Sequence, residues 1–382
     1  MIYFDNAATT LQKPAAVKRA VCRALDQMTS PGRGGHRASM LAAETAYRCR
    51  EAAAELFHVE KPEHIVFTHN ATHGLNMAIK STIRRGDRVV ISSFEHNSVV
   101  RPLQAMGAEV AVARCDPFAQ TAAVRAFAEQ IQPDTKLVVC NHVSNVFGAI
   151  LPVERIAALC RERGIPFLLD ASQSAGVLEI DAQALGADFI AMPGHKGLYG
   201  PQGTGILICK NPPEDTLIEG GTGSDSLRFD MPDALPDRLE AGTHNMLGIS
   251  GLLEGLRFVK KRGIEEILYQ ERKLLRRLIQ GLNDISGVQV YVARGPLVQT
   301  GVLSFVLEGA DCETVAEALG ETDVAVRAGL HCSPLAHTSA GTLHTGTVRV
   351  SFSAFNTGKE VDQFLQRFAC IAKRLQNDTG SR

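Results

Sequence analysis

The chain has 382 residues, 45% of them apolar, with 40 basic side chains against 41 acidic ones. This length accommodates two domains, and the balanced charge excludes the broad basic surface of a protein that binds nucleic acid or anionic membranes. The 9 cysteines show no paired spacing, which argues against a disulfide framework, and no apolar run approaches a membrane span. We therefore expect a cytoplasmic protein with neither a nucleic-acid nor a membrane partner.

Short β-rich runs alternate with amphipathic stretches through residues 64–210. The runs are HIVFTH, DRVVISS, EVAVARC, KLVVCNHVS, IPFLLDAS, DFIAMPG and GILICK. Segments with helical spacing lie between them, including ATHGLNMAIKSTIRR and PVERIAALCRERG. The alternation predicts an α/β domain in which helices cover both faces of a mostly parallel, seven-stranded sheet.

The pattern changes near Gly248, where a long helical stretch begins. It leads into the alternating segments GVQVYVA, GVLSFVLEG and GTVRVSFSAF. We expect a large domain over residues 16–248 and a smaller α+β domain over residues 249–382, completed by the N-terminal segment 1–15.

The residues that follow the apolar runs, most of them polar, are expected at the sheet edge where open α/β sheets bind ligands. They are Ala71-Thr72, Glu95-His96, Ser144-Asn145, Asp170 with Gln173, and His195-Lys196. Asp170 ends a run apolar enough to be buried, where an ionised carboxylate needs a positive partner. A protonated pyridine nitrogen would satisfy Asp170, and an aldehyde on the same ring would form a Schiff base with Lys196. The free N–H groups that open the helix at Ala71 suit a phosphate, so the set indicates a pyridoxal phosphate site.

Eight motifs in register carry a family resemblance. They are YFDNAATT, FEHNSVV, HVSNVFG, LDASQSAG, GHKGLYGPQGTG, LEAGTHN, RAGLHC and GTVRVSF. Over essentially its whole length the chain resembles the class V aminotransferase-fold family, and within it the cysteine desulfurases and selenocysteine lyases. The resemblance implies the fold type I of pyridoxal phosphate-dependent transferases. It also implies conversion of L-cysteine to L-alanine, with the sulfur left as an enzyme persulfide for delivery to an acceptor.

The resemblance assigns roles to the matched residues. Lys196 would be the Schiff-base lysine, His96 would stack on the cofactor and move protons, and Cys332 would accept the sulfur. The cofactor would also contact Asp170, Gln173, Thr72, His73, His195, Asn145 and Thr243, the last of which would reach into the partner's site of a homodimer. The substrate would contact Arg349, Asn145, Asn6, Ala7 and Arg327, and we expect Arg327 and His331 to favour the Cys332 thiolate.

Several positions depart from the pattern of the resembled family. Pro193 replaces a serine or threonine that would bind phosphate, and His73 stands where glutamate or serine is usual. Leu330 and Ser333 replace the histidine and alanine that flank the nucleophile in the HHCA version. The connection from Cys332 to Arg349, residues 333–348, is short for this family. In this respect the chain resembles the subgroup that hands sulfur to a dedicated acceptor protein.

Other interpretations stay open at this point. Asp170 and His96 have an alternative role as helix caps, and the cysteines other than Cys332 are expected to be inert core thiols. His331, Cys332, His337 and His344 suggest a zinc site, but their spacing matches no familiar pattern, and we expect no metal. The alternative functions are a selenocysteine lyase, another pyridoxal phosphate-dependent lyase or transaminase, and a non-catalytic scaffold.

Overall fold

The computed structural model describes residues 1–32, 34–295 and 298–379. Its strands are β1 (Ile2–Tyr3), β2 (Ile65–Thr68), β3 (Arg88–Ser92), β4 (Glu109–Ala113), β5 (Thr135–Asn141), β6 (Phe167–Asp170), β7 (Phe189–Pro193), β8 (Gly205–Cys209), β9 (Val288–Tyr291), β10 (Val302–Leu307), β11 (Val324–Ala325), β12 (Arg327–Gly329) and β13 (Thr347–Ser351). Its helices are α1 (Ala15–Gln27), α2 (Arg37–Leu56), α3 (Ala71–Thr82), α4 (Asn97–Met106), α5 (Gln120–Gln130), α6 (Val153–Glu162), α7 (Ala182–Leu185), α8 (Met246–Arg262), α9 (Ile264–Asn283), α10 (Cys312–Glu321), α11 (Pro334–Ala340) and α12 (Gly358–Thr379). Within these residues, no helix has both the length and the apolar character needed to cross a bilayer.

The larger sheet has seven strands in the order β2-β8-β7-β6-β5-β3-β4. These are the seven apolar runs of the sequence, so the prediction of a seven-stranded sheet is confirmed. β8 runs antiparallel to both of its neighbours, and the other pairings are parallel. The parallel strands therefore end at one edge, where their connections to the following helices begin.

Alternate residues of the central strands belong to two different hydrophobic clusters. Val90 and Val138 lie in one cluster, whereas Val89 and Val139 lie in the other. This alternation follows from the period of two along a strand, which sends successive side chains to opposite faces. Both faces are therefore covered, which explains why these strands read as continuous apolar runs.

A second, antiparallel sheet of four strands has the order β12-β13-β10-β9. Its core is a separate hydrophobic cluster, to which the N-terminal segment contributes Ile2 and Phe4. β1 also pairs in parallel with β11, which ties the N-terminus to this part of the chain. Helix α8 packs against α1 and α2, and most of its buried apolar residues, from Met246 to Leu256, belong to a core of the larger sheet. A domain boundary at residues 248/249 stays a prediction.

Candidate active site

The carboxyl edge of the larger sheet borders a cavity of about 520 Å³. Seven of the residues selected from the sequence line this cavity, which we call the edge cavity: Thr72, His96, Asn145, Asp170, Gln173, His195 and Lys196. They come from five different connections, those after β2, β3, β5, β6 and β7, and they meet because these strands end at the same edge.

The other predicted cofactor and substrate residues lie outside the lining of the edge cavity. His73 and Thr243 line a neighbouring cavity of about 540 Å³. Asn6 and Ala7 line a third cavity, of about 390 Å³, which shares Lys196 with the edge cavity. Gln173 also lines both the third cavity and the edge cavity. Its Nε2 donates to the carbonyl oxygen of Ala7 at 3.0 Å. Cys332, Arg349 and Arg327 lie outside the lining of all three cavities.

Lys196 is the amine of the edge cavity. It follows β7 in a tight turn in which Tyr199 N donates to the Lys196 carbonyl oxygen at 2.9 Å. Gly197 is required beside it, because a Cβ there would lie 2.4 Å from the carbonyl oxygen of Ala175. Burial lowers the pKa of the Lys196 amine to about 8, and Asp170 opposes this shift only partly. An amine that is partly neutral near pH 7 can act as a nucleophile and can accept a proton.

Asp170 supplies a buried negative charge at the end of β6. Its side chain is 4% exposed, and its Oδ1 accepts a hydrogen bond from Ser172 N at 2.9 Å. The carboxylate therefore caps the turn that follows β6, which is the alternative role considered for Asp170 from the sequence. Its second oxygen has no hydrogen-bond partner among the described residues and remains available to a cationic group in the cavity.

His96 is the N-cap of α4 and also lines the edge cavity. Ser98 N donates to His96 Nδ1 at 3.0 Å, so the proton of the neutral ring is on Nε2. Burial lowers the pKa of this imidazole, which is therefore neutral at pH 7. The cap orients the ring, and the ring keeps one N–H for a partner in the cavity.

Glu95, directly before His96, is a buried acid that the sequence did not single out for a role. It is fully buried, and its Oε1 accepts hydrogen bonds from Ser92 Oγ and Asn141 N, both at 2.7 Å. Its Oε2 is buried without a partner in the described residues. Burial raises the pKa of Glu95 to about 8, and the nearby Asp170 raises it further. Glu95 is thus protonated and uncharged at neutral pH.

Replacing Glu95 with glutamine should change how stability depends on pH. The folded protein keeps the Glu95 proton up to about pH 8, whereas the unfolded chain loses it near pH 4.5. This residue therefore makes the free energy of unfolding fall as pH rises through that window, by at most about 1.4 kcal/mol per pH unit. We expect Glu95→Gln to lack this decline, so that urea midpoints at pH 5 and pH 8 differ less in the variant than in the wild type.

The matched control for this measurement is Glu317→Gln, at an exposed position on α10. It should reproduce the pH dependence of the wild type. Parallel curves for wild type and Glu95→Gln would mean that Glu95 is ionised in the folded protein at pH 7.

The N-terminus of α3 forms the opposite end of the edge cavity. Asn70 caps the helix through a hydrogen bond from His73 N at 2.9 Å, so the N–H groups of Ala71 and Thr72 remain for another acceptor. His73 Nε2 is buried without a partner among the described residues, and burial lowers the pKa of its ring. His195 Nδ1 lies 3.1 Å from Thr9 Oγ1, and burial lowers its pKa to about 4. These imidazoles are neutral, so they offer hydrogen bonds rather than positive charge.

Arg349 and Arg327 face each other on neighbouring strands of the smaller sheet. Two like charges in such a pair repel, and Asp5 compensates them. Arg349 Nη2 donates to Asp5 Oδ1 at 2.9 Å, and Arg327 Nη2 donates to Asp5 Oδ2 at 2.9 Å. Arg349 Nε is buried without a partner in the described part of the chain. The cluster keeps a net positive charge and a free donor, which suits a substrate carboxylate.

Sequence reasoning missed Asp5, although it lies in YFDNAATT directly before Asn6. An acidic side chain beside two predicted substrate residues was the available signal. The contact itself joins segments more than three hundred residues apart, at 2.9 Å from Arg349, so local pattern did not predict it.

Cys332 is exposed and lies in a turn with unusual backbone angles. His331 and Cys332 have φ of 48° and 58°, in the left-handed region that costs a non-glycine residue roughly 1–2 kcal/mol. Two hydrogen bonds hold the turn: Asn97 N donates to the Cys332 carbonyl oxygen at 2.8 Å, and Asn145 Nδ2 donates to the His331 carbonyl oxygen at 2.8 Å. The turn is therefore attached to the segments that carry His96 and the edge cavity.

The imidazole of His331 does not supply the positive charge expected of it. Burial is the largest cause that lowers its pKa to about 2, and electrostatic repulsion from Arg349 and His337 contributes in the same direction. The expectation that His331 favours the Cys332 thiolate as a cation is therefore wrong. Arg327 does interact electrostatically with Cys332, an interaction that helps to raise the pKa of the guanidinium.

The remaining eight cysteines are free and differ in exposure, with Cys115 intermediate between the two groups that follow. Cys49, Cys140, Cys160, Cys209 and Cys312 are buried, and burial raises the pKa of Cys160 to about 12. Cys22 and Cys370 are exposed, so the expectation of inert core thiols is wrong for these two. They lie on the outward faces of α1 and α12. No group of three or more His, Cys, Asp or Glu in the described residues is arranged to hold a metal.

Comparisons with known proteins extend over nearly the whole chain. The family model described as aminotransferase class-V matches residues 2–364. A probable cysteine desulfurase of Pyrococcus abyssi (strain GE5 / Orsay) is 34% identical, over 99% of this chain and 96% of the relative. A probable cysteine desulfurase of Methanothermobacter thermautotrophicus is 33% identical, over 94% of this chain and 92% of the relative.

A solved structure shows the same fold. The apo cysteine desulfurase from Thermococcus onnurineus NA1 superposes with a TM-score of 0.89 at 33% identity, over 97% of this chain and 94% of that chain. The fold expected from the eight motifs, fold type I of the pyridoxal phosphate-dependent enzymes, is thus confirmed. The chain belongs to the aminotransferase class-V family.

Proposed function

We propose that this protein is a pyridoxal phosphate-dependent cysteine desulfurase that converts L-cysteine to L-alanine and keeps the sulfur as a persulfide on Cys332. The observation that carries the proposal is one arrangement: the amine of Lys196 and the carboxylate of Asp170 share a cavity, and the turn of the exposed Cys332 is bound to its border. The relatives that carry this name match the chain from end to end.

The residues of the edge cavity fit pyridoxal phosphate. Asp170 has an unpaired oxygen for a protonated ring nitrogen, His96 offers a neutral ring face, and Lys196 has no hydrogen-bond partner for Nζ among the described residues. Thr72, His195 and the N-terminus of α3 would hold the phosphate, with Gln173 near the ring oxygen. When bound, the cofactor supplies an aldehyde that condenses with amines and a ring that withdraws electrons from the substrate's α-carbon.

The remaining steps fall to the protein's own side chains. The lowered pKa of Lys196 lets its amine accept the proton of the substrate's α-carbon and later return it there, while the β-carbon takes up the proton that the Cys332 thiol releases when it ionises. Arg349, positioned by Asp5 and joined by Arg327, would bind the substrate carboxylate beside Asn6 and Ala7.

Sulfur transfer balances without an external oxidant. The Cys332 thiolate attacks the substrate sulfur, so that an S–S bond forms as the C–S bond breaks. The electron pair of the broken bond stays with carbon, which takes up a proton and leaves as alanine. A reductant or an acceptor thiol is then needed to remove the persulfide sulfur and restore Cys332.

We also propose a homodimer, an acceptor protein and a reducing compartment, the cytoplasm. Within one chain Thr243 lines a different cavity from Thr72, which is consistent with Thr243 completing the site of a second copy. The exposure of Cys332, two positions after the exposed Leu330, leaves the persulfide accessible to an acceptor. All nine cysteines are free, which agrees with a reducing compartment.

The test is alanine release from L-cysteine by the purified protein, loaded with pyridoxal phosphate, in the presence of dithiothreitol. We expect alanine and sulfide in equal amounts, with a persulfide on Cys332 detected by mass spectrometry when reductant is omitted. Alanine without a persulfide would contradict the mechanism. Turnover confined to L-selenocysteine would assign the alternative function of a selenocysteine lyase.

A further inference from the structure

Ser333, the residue after Cys332, makes a hydrogen bond that its position in the chain does not predict. It is the N-cap of α11, where a serine hydroxyl ordinarily accepts a hydrogen bond from the first turn of the helix. Here the hydroxyl makes no such bond. Instead Ser333 Oγ, fully buried, donates to Asn145 Oδ1 at 2.7 Å.

The acceptor of this bond is itself attached to the other side of the Cys332 turn. Asn145 Nδ2 donates to the His331 carbonyl oxygen at 2.8 Å, so one amide group contacts the residues on both sides of Cys332. The Asn145 carbonyl oxygen also accepts from Arg349 Nη1 at 2.9 Å. Asn145 lines the edge cavity, and it therefore connects that cavity to the turn and to the carboxylate-binding cluster.

The turn needs such an attachment because its conformation is unfavourable by itself. Two successive non-glycine residues, His331 and Cys332, have left-handed backbone angles, and such angles persist only where the surroundings enforce them. The bonds from Asn97 and Asn145 reach backbone carbonyl oxygens, and the Ser333 hydroxyl adds a side-chain bond to the same amide.

We propose that Ser333 is a positioning residue for Cys332: its hydroxyl fixes the Cys332 turn to Asn145, and so holds the thiol in place relative to the edge cavity. This inference rests on the proposed function. A nucleophile must approach its target atom to within about 3–3.5 Å in the reactive complex, so that freedom in the turn lowers the rate of attack. Binding of the substrate carboxylate does not use this bond, because Arg349 contacts the backbone oxygen of Asn145.

The first test compares backbone exchange in Ser333→Ala and wild type, both with cofactor and without cysteine. Hydrogen exchange read by mass spectrometry on the peptide around residues 330–340 should be faster in the variant, by roughly threefold to tenfold. The control is Ser250→Ala, which removes another buried hydroxyl in α8, bonded to the Met246 carbonyl oxygen at 2.7 Å and to Met28 Sδ at 3.4 Å. It should leave exchange at residues 330–340 unchanged.

The second test separates positioning from a general structural effect. With L-cysteine, Ser333→Ala should lower kcat by about threefold to tenfold and change KM by less than about twofold. Ser333→Thr keeps the hydroxyl and should retain more of kcat than Ser333→Val, in which valine has the shape of threonine but no hydroxyl. This pair replaces Ser333→Ala as the test if that variant does not fold. Unchanged exchange with unchanged kcat, or equal kcat values for the threonine and valine variants, would overturn the proposal. A wild type that forms no alanine would refute the proposed function, whereas the exchange comparison would still report on the attachment.

Discussion

Cys332→Ala should reduce alanine formation from L-cysteine by at least about 10³-fold, the scale on which loss of an enzyme nucleophile acts. Without this thiolate no group in the turn can attack the substrate sulfur. His331 is neutral and buried, and its Nε2 is occupied at 3.2 Å from the Thr347 carbonyl oxygen. The edge cavity contains neither residue, so the variant should still bind pyridoxal phosphate. The measurement is alanine release under dithiothreitol, at matched cofactor content.

The matched control for Cys332→Ala is Cys370→Ala, which removes an exposed thiol from α12. It should turn over at the wild-type rate. Equal alanine from wild type and Cys332→Ala would identify a lyase that forms no persulfide on the protein, and would remove Cys332 from the mechanism.

The larger sheet was predictable because its signal is local. Each strand is a short apolar run, and the runs of the central strands are buried on both faces, as Val89 and Val90 illustrate. The residues after these runs then follow from topology, since parallel strands end at one edge. This is why the sequence alone placed Asp170 and Lys196 at one edge of the sheet, where the structure shows that they share a cavity.

The contacts that position the predicted residues were not accessible in the same way. Asp5 lies between two arginines that follow it by more than three hundred residues, and Ser333 reaches Asn145 across 188 positions. Periodicity reports which face a residue occupies, but it does not report which distant segment packs there. The replacement of alanine by Ser333 was visible in the sequence, yet its bond to Asn145 required the structure.

Two further differences have simple physical origins. Cys22 and Cys370 lie in amphipathic helices, where residues only one or two positions apart can lie on the buried and on the exposed face. Cysteine is usually a buried residue type, but the position of each cysteine on its helix decides whether its side chain is buried or exposed. Similarly, α8 begins near the change of pattern at Gly248 and still packs with the preceding core. A change of sequence pattern marks a new element, not necessarily a new core.

Lys196→Ala should lower turnover of L-cysteine by about 10⁴-fold or more, because the same amine holds the cofactor and moves the proton. The variant should nevertheless fold, since burial lowers the pKa of Lys196 to about 8 and so opposes its charged form. Relative to the variant, the wild type without cofactor should gain stability as pH rises from 8 to 10.5, where the unfolded lysine still binds its proton. Urea midpoints across this range test the sign.

The site of cofactor attachment distinguishes Lys196 from a second amine nearby, that of the half-buried Lys13. Burial also lowers the pKa of Lys13 to about 8, and its Nζ donates to the His195 carbonyl oxygen at 2.9 Å, so Lys13 is the competing candidate. Borohydride reduction of the loaded wild type, followed by peptide mass spectrometry, should find the cofactor on residue 196 and none on residue 13. The exposed Lys18 of α1 provides the control, as Lys18→Ala should retain both labelling and turnover. Labelling of Lys13 in the wild type would refute the assignment of Lys196, because Asp170 and His96 would then surround an amine that does not hold the cofactor.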